Sequence, residues 1–343
     1  PISIKGIREG DYAMIYGYPG GTNRYESSFG IKLATDINNP SLVSLRDVRL
    51  KAMFEEMKKD PAVKLQLASS YAGIANYWKF YDGETKQLLK QHIYEKKQQE
   101  EAAFRQWAKD KPGFANIFSD WEKAYEAWKP YAKTRQYLNE GIMGSPLASF
   151  AGSLMQLERA LTMTGVSAAE TRKAIEDANT RRKAFLQAEN IPSDQKIMAA
   201  TARMYYTDID KSHHPIGFYE SLKARYGDLK DPATFTKWAA DVFKQTMILD
   251  DAKRCAFMAM PDAGTLQNDI AYHYAGAFIR NYISKYLPLF QQFTTVNNDL
   301  GRLYLKGVMQ MHPGKTMYPD ANFSMRVSYG SVQSYSPRDA VKY

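Results

Sequence analysis

A helical period governs most of this chain, and strand-like sequence lies at each end. Between residues 41 and 311 the apolar residues recur every three or four positions. Leu50, Met53 and Met57, for example, share one side of a helix, and charged residues lie opposite them. This spacing is typical of amphipathic helices that bury one side. No fixed repeat unit recurs, so an array of helical repeats is not indicated. The sequence predicts a mainly α protein with one large, irregular helical domain.

Helix-start signals divide this region into segments. An acidic residue directly precedes proline at Asp60-Pro61 and again at Asp231-Pro232, the pattern of an N-cap followed by proline in the first turn. Residues 167–170 fit a capping box. The predicted helices span 61–109 with a break near Asp82-Gly83, then roughly 114–139, 146–163, 168–189, 194–211, 232–249, 262–293 and 297–311.

The two ends of the chain have the pattern of strands. Ile2-Ser3-Ile4 alternates apolar and polar residues, residues 12–16 are rich in β-forming types, and residues 322–328 alternate again. A few short strands do not make a stable sheet alone. We therefore expect both ends to be edges of one β domain, with the helical domain inserted between them. The predicted segments are a strand segment at 1–30, the helical domain at 31–316, and a returning strand segment at 317–343.

The net charge of +9 is not concentrated as it would be in a nucleic-acid site. Basic and acidic residues are interleaved, as in residues 95–101 (EKKQQEE), and no block of five or six like charges occurs. A nucleic-acid partner is therefore not expected. No apolar run approaches the ~20 residues that a membrane span requires, so no membrane span is expected either.

The single cysteine and the five histidines give no support for a metal or cofactor site. Cys255 lies next to apolar residues, which predicts a buried, inert thiol. None of the histidines has the spacing of a zinc motif. The adjacent pair His213 and His214 is expected at a helix end, His273 in the core of a helix over 262–293, and His92 on a charged, exposed helix.

The segment Gly141–Pro146 resembles the loop around a trypsin-type nucleophile, G-x-S-G-x-P, only superficially. Met143 occupies the position that needs the serine, and Ser145 has the pattern of an N-cap before proline. The chain also contains no G-x-S-x-G, Walker or G-x-G-x-x-G motif. We therefore expect no catalytic residue, no metal ligand and no cofactor-binding residue in this chain.

Residues 71–78 (YAGIANYW) are the most informative polar segment. Ala72, Gly73 and Ala75 are small and permit another backbone or a ligand to approach closely. Asn76, with the two aromatic residues after it, adds an amide group on the same helix turn. The residues alone leave two interpretations open, a tightly packed helix crossing and a ligand contact.

Three segments together resemble the dipeptidyl-peptidase 7 and 11 family of bacterial serine exopeptidases. They are residues 17–25 (GYPGGTNRY), residues 71–78, and residues 318–332 (YPDANFSMRVSYGSV). The resemblance extends over essentially the whole chain. It implies a helical domain inserted in a chymotrypsin-like double β-barrel, which caps the cleft of an enzyme that removes dipeptides from the free N-terminus of oligopeptides.

The resemblance also assigns roles. It implies that Asn76 contacts the N-terminal end of the substrate. The family's histidine string and its serine string are absent, and its catalytic aspartate would lie before Pro1. The chain is therefore expected to be the helical cap, or substrate-recognition portion, of a serine dipeptidyl-peptidase, and to be inactive alone. The alternative is a stand-alone helical module that binds a peptide or a protein.

Expected partners follow from the same resemblance. They are an oligopeptide with a free N-terminus, the remainder of the catalytic β-barrel domain, and a second copy in a homodimer. The resemblance also implies the periplasm or cell surface of a Gram-negative bacterium, with the signal peptide outside this chain.

Overall fold

A computed structural model describes residues 3–343 of the chain. The chain forms two compact units. The larger is Ser27–Tyr304, and the smaller combines the residues up to Glu26 with Leu305–Tyr343. The strand predicted at Ile2-Ser3-Ile4 begins outside the described residues, and Ser3 and Ile4 are not part of a strand.

The larger unit is helical, as the sequence period predicts. Its helices in chain order are α1 (Ser28–Leu33), α2 (Asn39–Met57), α3 (Pro61–Lys90), α4 (Ile93–Ala108), α5 (Ile117–Gln136), α6 (Pro146–Ser153), α7 (Met155–Thr162), α8 (Ala168–Ala188), α9 (Ile191–Asp208), α10 (Phe218–Tyr226), α11 (Pro232–Gln245), α12 (Asp251–Ala259), α13 (Ala263–Asn268), α14 (Ile270–Lys285) and α15 (Leu287–Met311). The boundary between the two units falls within α15. None of the helices in the described part of the chain is both long and apolar enough to cross a membrane.

The smaller unit contains two strands, β1 (Tyr12–Gly17) and β2 (Arg326–Ser331), which pair antiparallel. Tyr12 lies opposite Ser331 and Gly17 lies opposite Arg326. The two ends of the chain therefore form one ribbon. The second strand begins later than the predicted 322–328, because Phe323 adopts a left-handed conformation with φ of 63° that interrupts extended backbone.

The predicted helix-start signals are confirmed. The Asp60 carboxylate accepts a hydrogen bond from the Ala62 N–H at 2.8 Å. Ser167 and Glu170 form a capping box at the start of α8, and the Ser167 Oγ accepts from the Glu170 N–H at 3.2 Å. Ser145 caps α6 in the same way and accepts from the Ala148 N–H. These side chains satisfy backbone donors that a helix start leaves without partners.

The predicted break near Asp82-Gly83 is wrong, because α3 continues to Lys90. Asp82 pairs with Lys86 one turn later, with 2.7 Å between its carboxylate and the Lys86 Nζ, which supports the helix. A glycine inside a helix costs about 1 kcal/mol relative to alanine, too little to end a long packed helix. The chain turns instead at His92, which has a left-handed φ of 51° and an exposed side chain between α3 and α4.

The predicted helices over 146–163 and 262–293 are also wrong in extent, because the first divides into α6 and α7 and the second into α13, α14 and the start of α15. Asp269 explains one of these divisions. Its carboxylate caps α14 by accepting the N–H groups of Ala271 and Tyr272, and it also accepts from the Thr246 hydroxyl and the Met247 N–H. Helices α10 and α12 are not among the predicted helices, and each is only nine residues long.

Two predictions of burial are wrong for chemistry-bearing side chains. Cys255 is exposed, because α12 turns Phe257 inward and leaves the thiol on the outer side. His273 is exposed as well, since α14 buries its two neighbours Tyr272 and Tyr274. Among residues 3–343, no group of three or more His, Cys, Asp or Glu side chains is arranged to hold a metal ion.

His213 and His214 lie at the end of the 3-10 turn Lys211–His213, as predicted for a helix end. The His213 Nδ1 lies 3.0 Å from the Thr134 Oγ1, and the His214 Nε2 lies 3.0 Å from the backbone oxygen of Ile209. Both rings pack against tyrosines, and burial lowers the pKa of each imidazole. This environment is that of packed, neutral histidines.

The core of the larger unit is rich in aromatic side chains. Its main cluster includes Leu147, Met198, Tyr274 and Phe278, which α6, α9 and α14 bring together. A further group joins α4, α5 and α15: the Tyr304 ring lies 5.1 Å from Phe104 and 5.5 Å from Trp121, between ring centroids. The Trp121 indole N–H donates to the Asn297 Oδ1 at 2.8 Å, so this buried polar group is satisfied.

A buried pair of carboxyl groups lies where the α8–α9 junction meets the start of α6. Asp194 is only 1% exposed, and its Oδ2 accepts the Leu147 N–H at 2.7 Å. Burial and the neighbouring charge of Asp194 raise the pKa of Glu189 well above its usual range. Burial also raises the pKa of Asp194, although the hydrogen bond from the Leu147 N–H favours its charged form. The pair therefore holds protons more tightly in the folded chain than in the unfolded chain.

We expect the free energy of unfolding of the larger unit to fall as the pH rises from about 5 through neutral. The stabilising protons are bound at acid pH and are lost as the pH passes through the raised values. Glu189→Gln should remove most of this slope and be more stable than the unchanged chain at pH 8, by about 1–3 kcal/mol. Urea unfolding followed by tryptophan fluorescence measures this, since all five tryptophans lie in the larger unit.

The control is Glu170→Gln at the exposed start of α8, where hydrogen bonds from Ser167 lower the pKa of the carboxyl group. This variant should keep the slope. An unchanged slope in Glu189→Gln would show that the buried pair does not hold the extra proton.

Candidate functional site

Helix α3 packs on one side and is open on the other. Its inner side packs on α2, and Leu67 belongs to a small core cluster that also includes Met53 of α2 and Ile197 of α9. Leu67 is the only buried residue of α3. A helix of 30 residues that buries so little presents a long exposed surface.

The exposed surface of α3 includes a stripe of residues spaced three or four apart, which places them on one side of the helix. All of them are exposed. We call this surface the Asn76 stripe, and its members are Leu65, Ser69, Ala72, Gly73, Asn76 and Phe80. The side chain of Asn76 makes no hydrogen bond to any of residues 3–343, so its amide is available to a partner.

The small residues of the Asn76 stripe do not serve a helix crossing within the described chain. A Cβ added at Gly73 would meet no atom within 4 Å. Ala72 is exposed beside it. Of the two interpretations that the sequence leaves open, tight packing against another helix of residues 3–343 is therefore not found.

The position of the stripe is fixed from both halves of α3. In the N-terminal half, the Tyr71 ring lies 6.1 Å from the Phe54 ring of α2. In the C-terminal half, the Asn39 Nδ2 donates to the Glu84 Oε2 at 2.8 Å and to the Thr85 Oγ1 at 3.1 Å. A binding group held on a packed helix is positioned more accurately than one on a loop.

Charged groups beneath α3 are the part of this region that the sequence analysis missed. The Arg46 guanidinium of α2 lies under the rings of Tyr77 and Tyr81, and its Nη2 donates to the Glu140 Oε1 at 2.6 Å. Arg49 donates to the other oxygen of Glu140 at 2.8 Å. The partners are 91 and 94 positions apart in the sequence, so no local pattern indicates the contact.

A cavity of about 680 Å³ lies elsewhere in the larger unit, between the start of α2 and α5. Asp36, Glu126, Lys129, Lys133 and Tyr137 are among its lining residues. Charged residues of both signs line this cavity. Among the residues that the structure describes, its lining includes no histidine, and therefore no serine–histidine pair. It is therefore a surface cleft with a mixed lining of apolar and charged side chains.

In a comparison with known proteins, one protein-family model matches the chain over its whole length. The family model described as Peptidase S46 matches residues 1–343. An Asp/Glu-specific dipeptidyl-peptidase of Flavobacterium psychrophilum is 31% identical over 350 residues, which cover all of this chain and 47% of the relative. A dipeptidyl-peptidase 7 of Capnocytophaga gingivalis is 30% identical and is matched over 98% of this chain and 46% of its own length. The chain spans about half the length of the curated relatives it matches.

Solved structures show the same fold. The chain superposes on Porphyromonas endodontalis DPP11 in complex with the dipeptide Arg-Glu with a TM-score of 0.79 and 23% identity. All of this chain and 48% of that protein are covered. A second structure of that protein, in complex with substrate, gives a TM-score of 0.74 at the same identity and covers 99% of this chain and 47% of that one. At 23% identity, this similarity shows a shared fold and nothing further.

We expect Gly73→Ala to stabilise the larger unit by about 0.5–1 kcal/mol, because alanine favours the helix and its methyl group meets open space. The matched control is Gly152→Ala in α6, where the new Cβ would lie 2.6 Å from the Ile279 Cδ1. The control should gain less stability than Gly73→Ala, or lose stability. Urea unfolding of both variants measures the difference, and a destabilised Gly73→Ala would contradict an open stripe.

Proposed function

Because the chain belongs to the peptidase S46 family, whose matched relatives are dipeptidyl-peptidases, we propose that it is the substrate-recognition portion of such an enzyme. The enzyme releases dipeptides from the free N-terminus of oligopeptides. The larger unit, Ser27–Tyr304, acts as the helical cap that the sequence places at 31–316. The observation that carries the proposal is the exposed Asn76 stripe, with a free amide on a helix that packs against α2 on its other side.

Asn76 recognises the N-terminal end of the peptide in this proposal. The Oδ1 accepts a hydrogen bond from the α-ammonium group, or the Nδ2 donates to the first peptide carbonyl. Ala72 and Gly73 carry no bulk beside it, so the backbone of a peptide reaches the helix surface. Recognition of the ammonium explains how a cap selects free N-termini, because a blocked end cannot donate in the same way.

The chemistry itself belongs to residues outside this chain in this proposal. A serine attacks the peptide carbonyl, a histidine moves the proton, an aspartate orients the histidine, and backbone N–H groups stabilise the oxyanion. Ser145 has a different task here, because it is buried and caps α6. The chain binds and positions the peptide for a serine-type enzyme of the periplasm or cell surface.

The exposed apolar side chains of the ribbon formed by β1 and β2 support the proposal that it is part of a larger β domain. Tyr12, Ile15, Tyr16 and Tyr329 are large apolar side chains that are all more than half exposed. They point to both faces, since neighbours along a strand alternate. A two-stranded ribbon is marginally stable in water, and exposed apolar surface of this kind marks a contact. We propose that the remainder of a β-barrel catalytic domain covers it, which a stand-alone helical module would not need.

In the complete protein that contains this chain, Asn76→Ala should lower kcat/KM for a dipeptidyl substrate with a chromogenic leaving group. The expected decrease corresponds to about 1–3 kcal/mol of lost transition-state stabilisation, the cost of losing a hydrogen bond to a charged group. Alanine favours a helix more than asparagine, so the fold should not weaken. Steady-state kinetics measures this change. The control is Asn298→Ala, which replaces another exposed helical asparagine, on α15. An unchanged kcat/KM in Asn76→Ala would remove Asn76 from substrate recognition.

The purified 343-residue chain should release no dipeptide from an oligopeptide. The physical reason is that it supplies the recognition surface and not the acyl-transfer groups. Mass spectrometry of the peptide after incubation measures release, and the complete protein serves as the positive control. Release that persists through repeated purification, at a rate proportional to the chain's concentration, would contradict the proposal.

A further inference from the structure

Arg46 lies beneath the aromatic ring of Tyr77, the residue that follows Asn76 in the chain. Its guanidinium carbon lies 5.3 Å from the centroid of the Tyr77 ring and 5.6 Å from that of Tyr81. The two rings stack on each other at 6.3 Å, one helix turn apart. A guanidinium at this distance is attracted to the face of an aromatic ring. One cation therefore holds two tyrosines of α3.

The position of Arg46 is itself fixed by a mostly buried ion pair. The Arg46 side chain is 11% exposed and that of Glu140 is 21% exposed. Glu140 receives one hydrogen bond from Arg46 and one from Arg49, so both oxygens of its carboxylate are used. A charge-assisted bond at 2.6 Å in a shielded environment restricts the guanidinium more than an exposed pair would.

Tyr77 is 53% exposed, so it presents an open side to a partner and is also held from below. It follows Asn76 directly in α3. A change in the ring's support therefore acts on the surface immediately beside the free amide.

We propose that Arg46 is a positioning residue for peptide recognition, which acts by holding Tyr77 and the turn of α3 that carries Asn76. The inference rests on the proposed function of the Asn76 stripe. Arg46 itself touches no substrate. Its planar guanidinium is suited to the task, since it lies against a ring while its edge donates to a carboxylate, and a lysine ammonium does these two things less well together.

The test uses the complete protein and a series of dipeptidyl substrates that carry a chromogenic leaving group. Arg46→Met keeps an unbranched, flexible apolar side chain and removes the guanidinium with its charge. We expect it to raise KM about five- to tenfold while kcat stays within twofold, because binding is disturbed and the reacting groups are not. Arg46→Lys retains a cation below the rings and should recover part of the loss.

A matched control separates this role from general packing. Arg105 of α4 also lies over an aromatic ring, at 4.3 Å from the Phe118 centroid, and pairs with Glu101 at 3.9 Å. Arg105→Met removes the same kind of contact away from α3. It should leave KM unchanged.

A double-mutant cycle tests the route through Tyr77. If Arg46 acts by holding that ring, Arg46→Met should have little further effect on KM in a protein that already carries Tyr77→Leu. Tyr77 is half exposed, so Tyr77→Leu is suited to measurement even if Arg46→Met folds poorly. Fully additive effects on KM would overturn the inference.

Two further results separate a positioning role of Arg46 from a purely structural one, and this inference from the proposed function. A lower thermal midpoint in Arg46→Met with an unchanged KM would show a structural role only, and would overturn this inference. The proposed function is tested separately by Asn76→Ala. If that variant loses recognition and Arg46→Met does not, the inference about Arg46 fails and the proposed function stands. If Asn76→Ala has no effect, the proposed function fails.

Discussion

The contact between α2 and α3 determines which side chains of this protein are available for binding. α2 lies between α3 and α9, and the small cluster around Met53, Leu67 and Ile197 joins the three helices. With its inner side held there, α3 turns its opposite side outward along much of its length. The free amide of Asn76 is therefore a consequence of packing elsewhere, since rotation of α3 by half a turn would bury that amide and expose Leu67.

Buried charge is placed where separate segments meet. Glu140 lies in the turn Tyr137–Gly141 after α5 and accepts hydrogen bonds from two arginines of α2, and Asp194 accepts a backbone N–H from the start of α6. Such groups are costly to bury without partners, so each one specifies a single arrangement of the segments around it. Burial, and then the neighbouring charge of Asp194, raise the pKa of Glu189, so its carboxyl group holds a proton more tightly than in the unfolded chain.

Local sequence chemistry predicted local structure well and long-range contacts poorly. Asp60 and Ser167 indicated helix starts because capping is decided within four residues. Cys255 and His273 were misplaced, because apolar neighbours on a helix do not tell which side faces the core. The support of Tyr77 by Arg46 had no local signal at all. The sequence identified Asn76 as a candidate through its small neighbours and the family resemblance, and the open side of α3 became visible only in the fold.

The most direct test of the account is the structure of the complete protein with a bound peptide that carries a free N-terminus. The decisive quantity is the distance from the amide atoms of Asn76 to the α-ammonium nitrogen and the first carbonyl oxygen of the peptide. We predict that one of these distances is about 2.7–3.2 Å, the length of a hydrogen bond. A peptide bound away from α3, with the Asn76 stripe covered by another part of the protein, would contradict it.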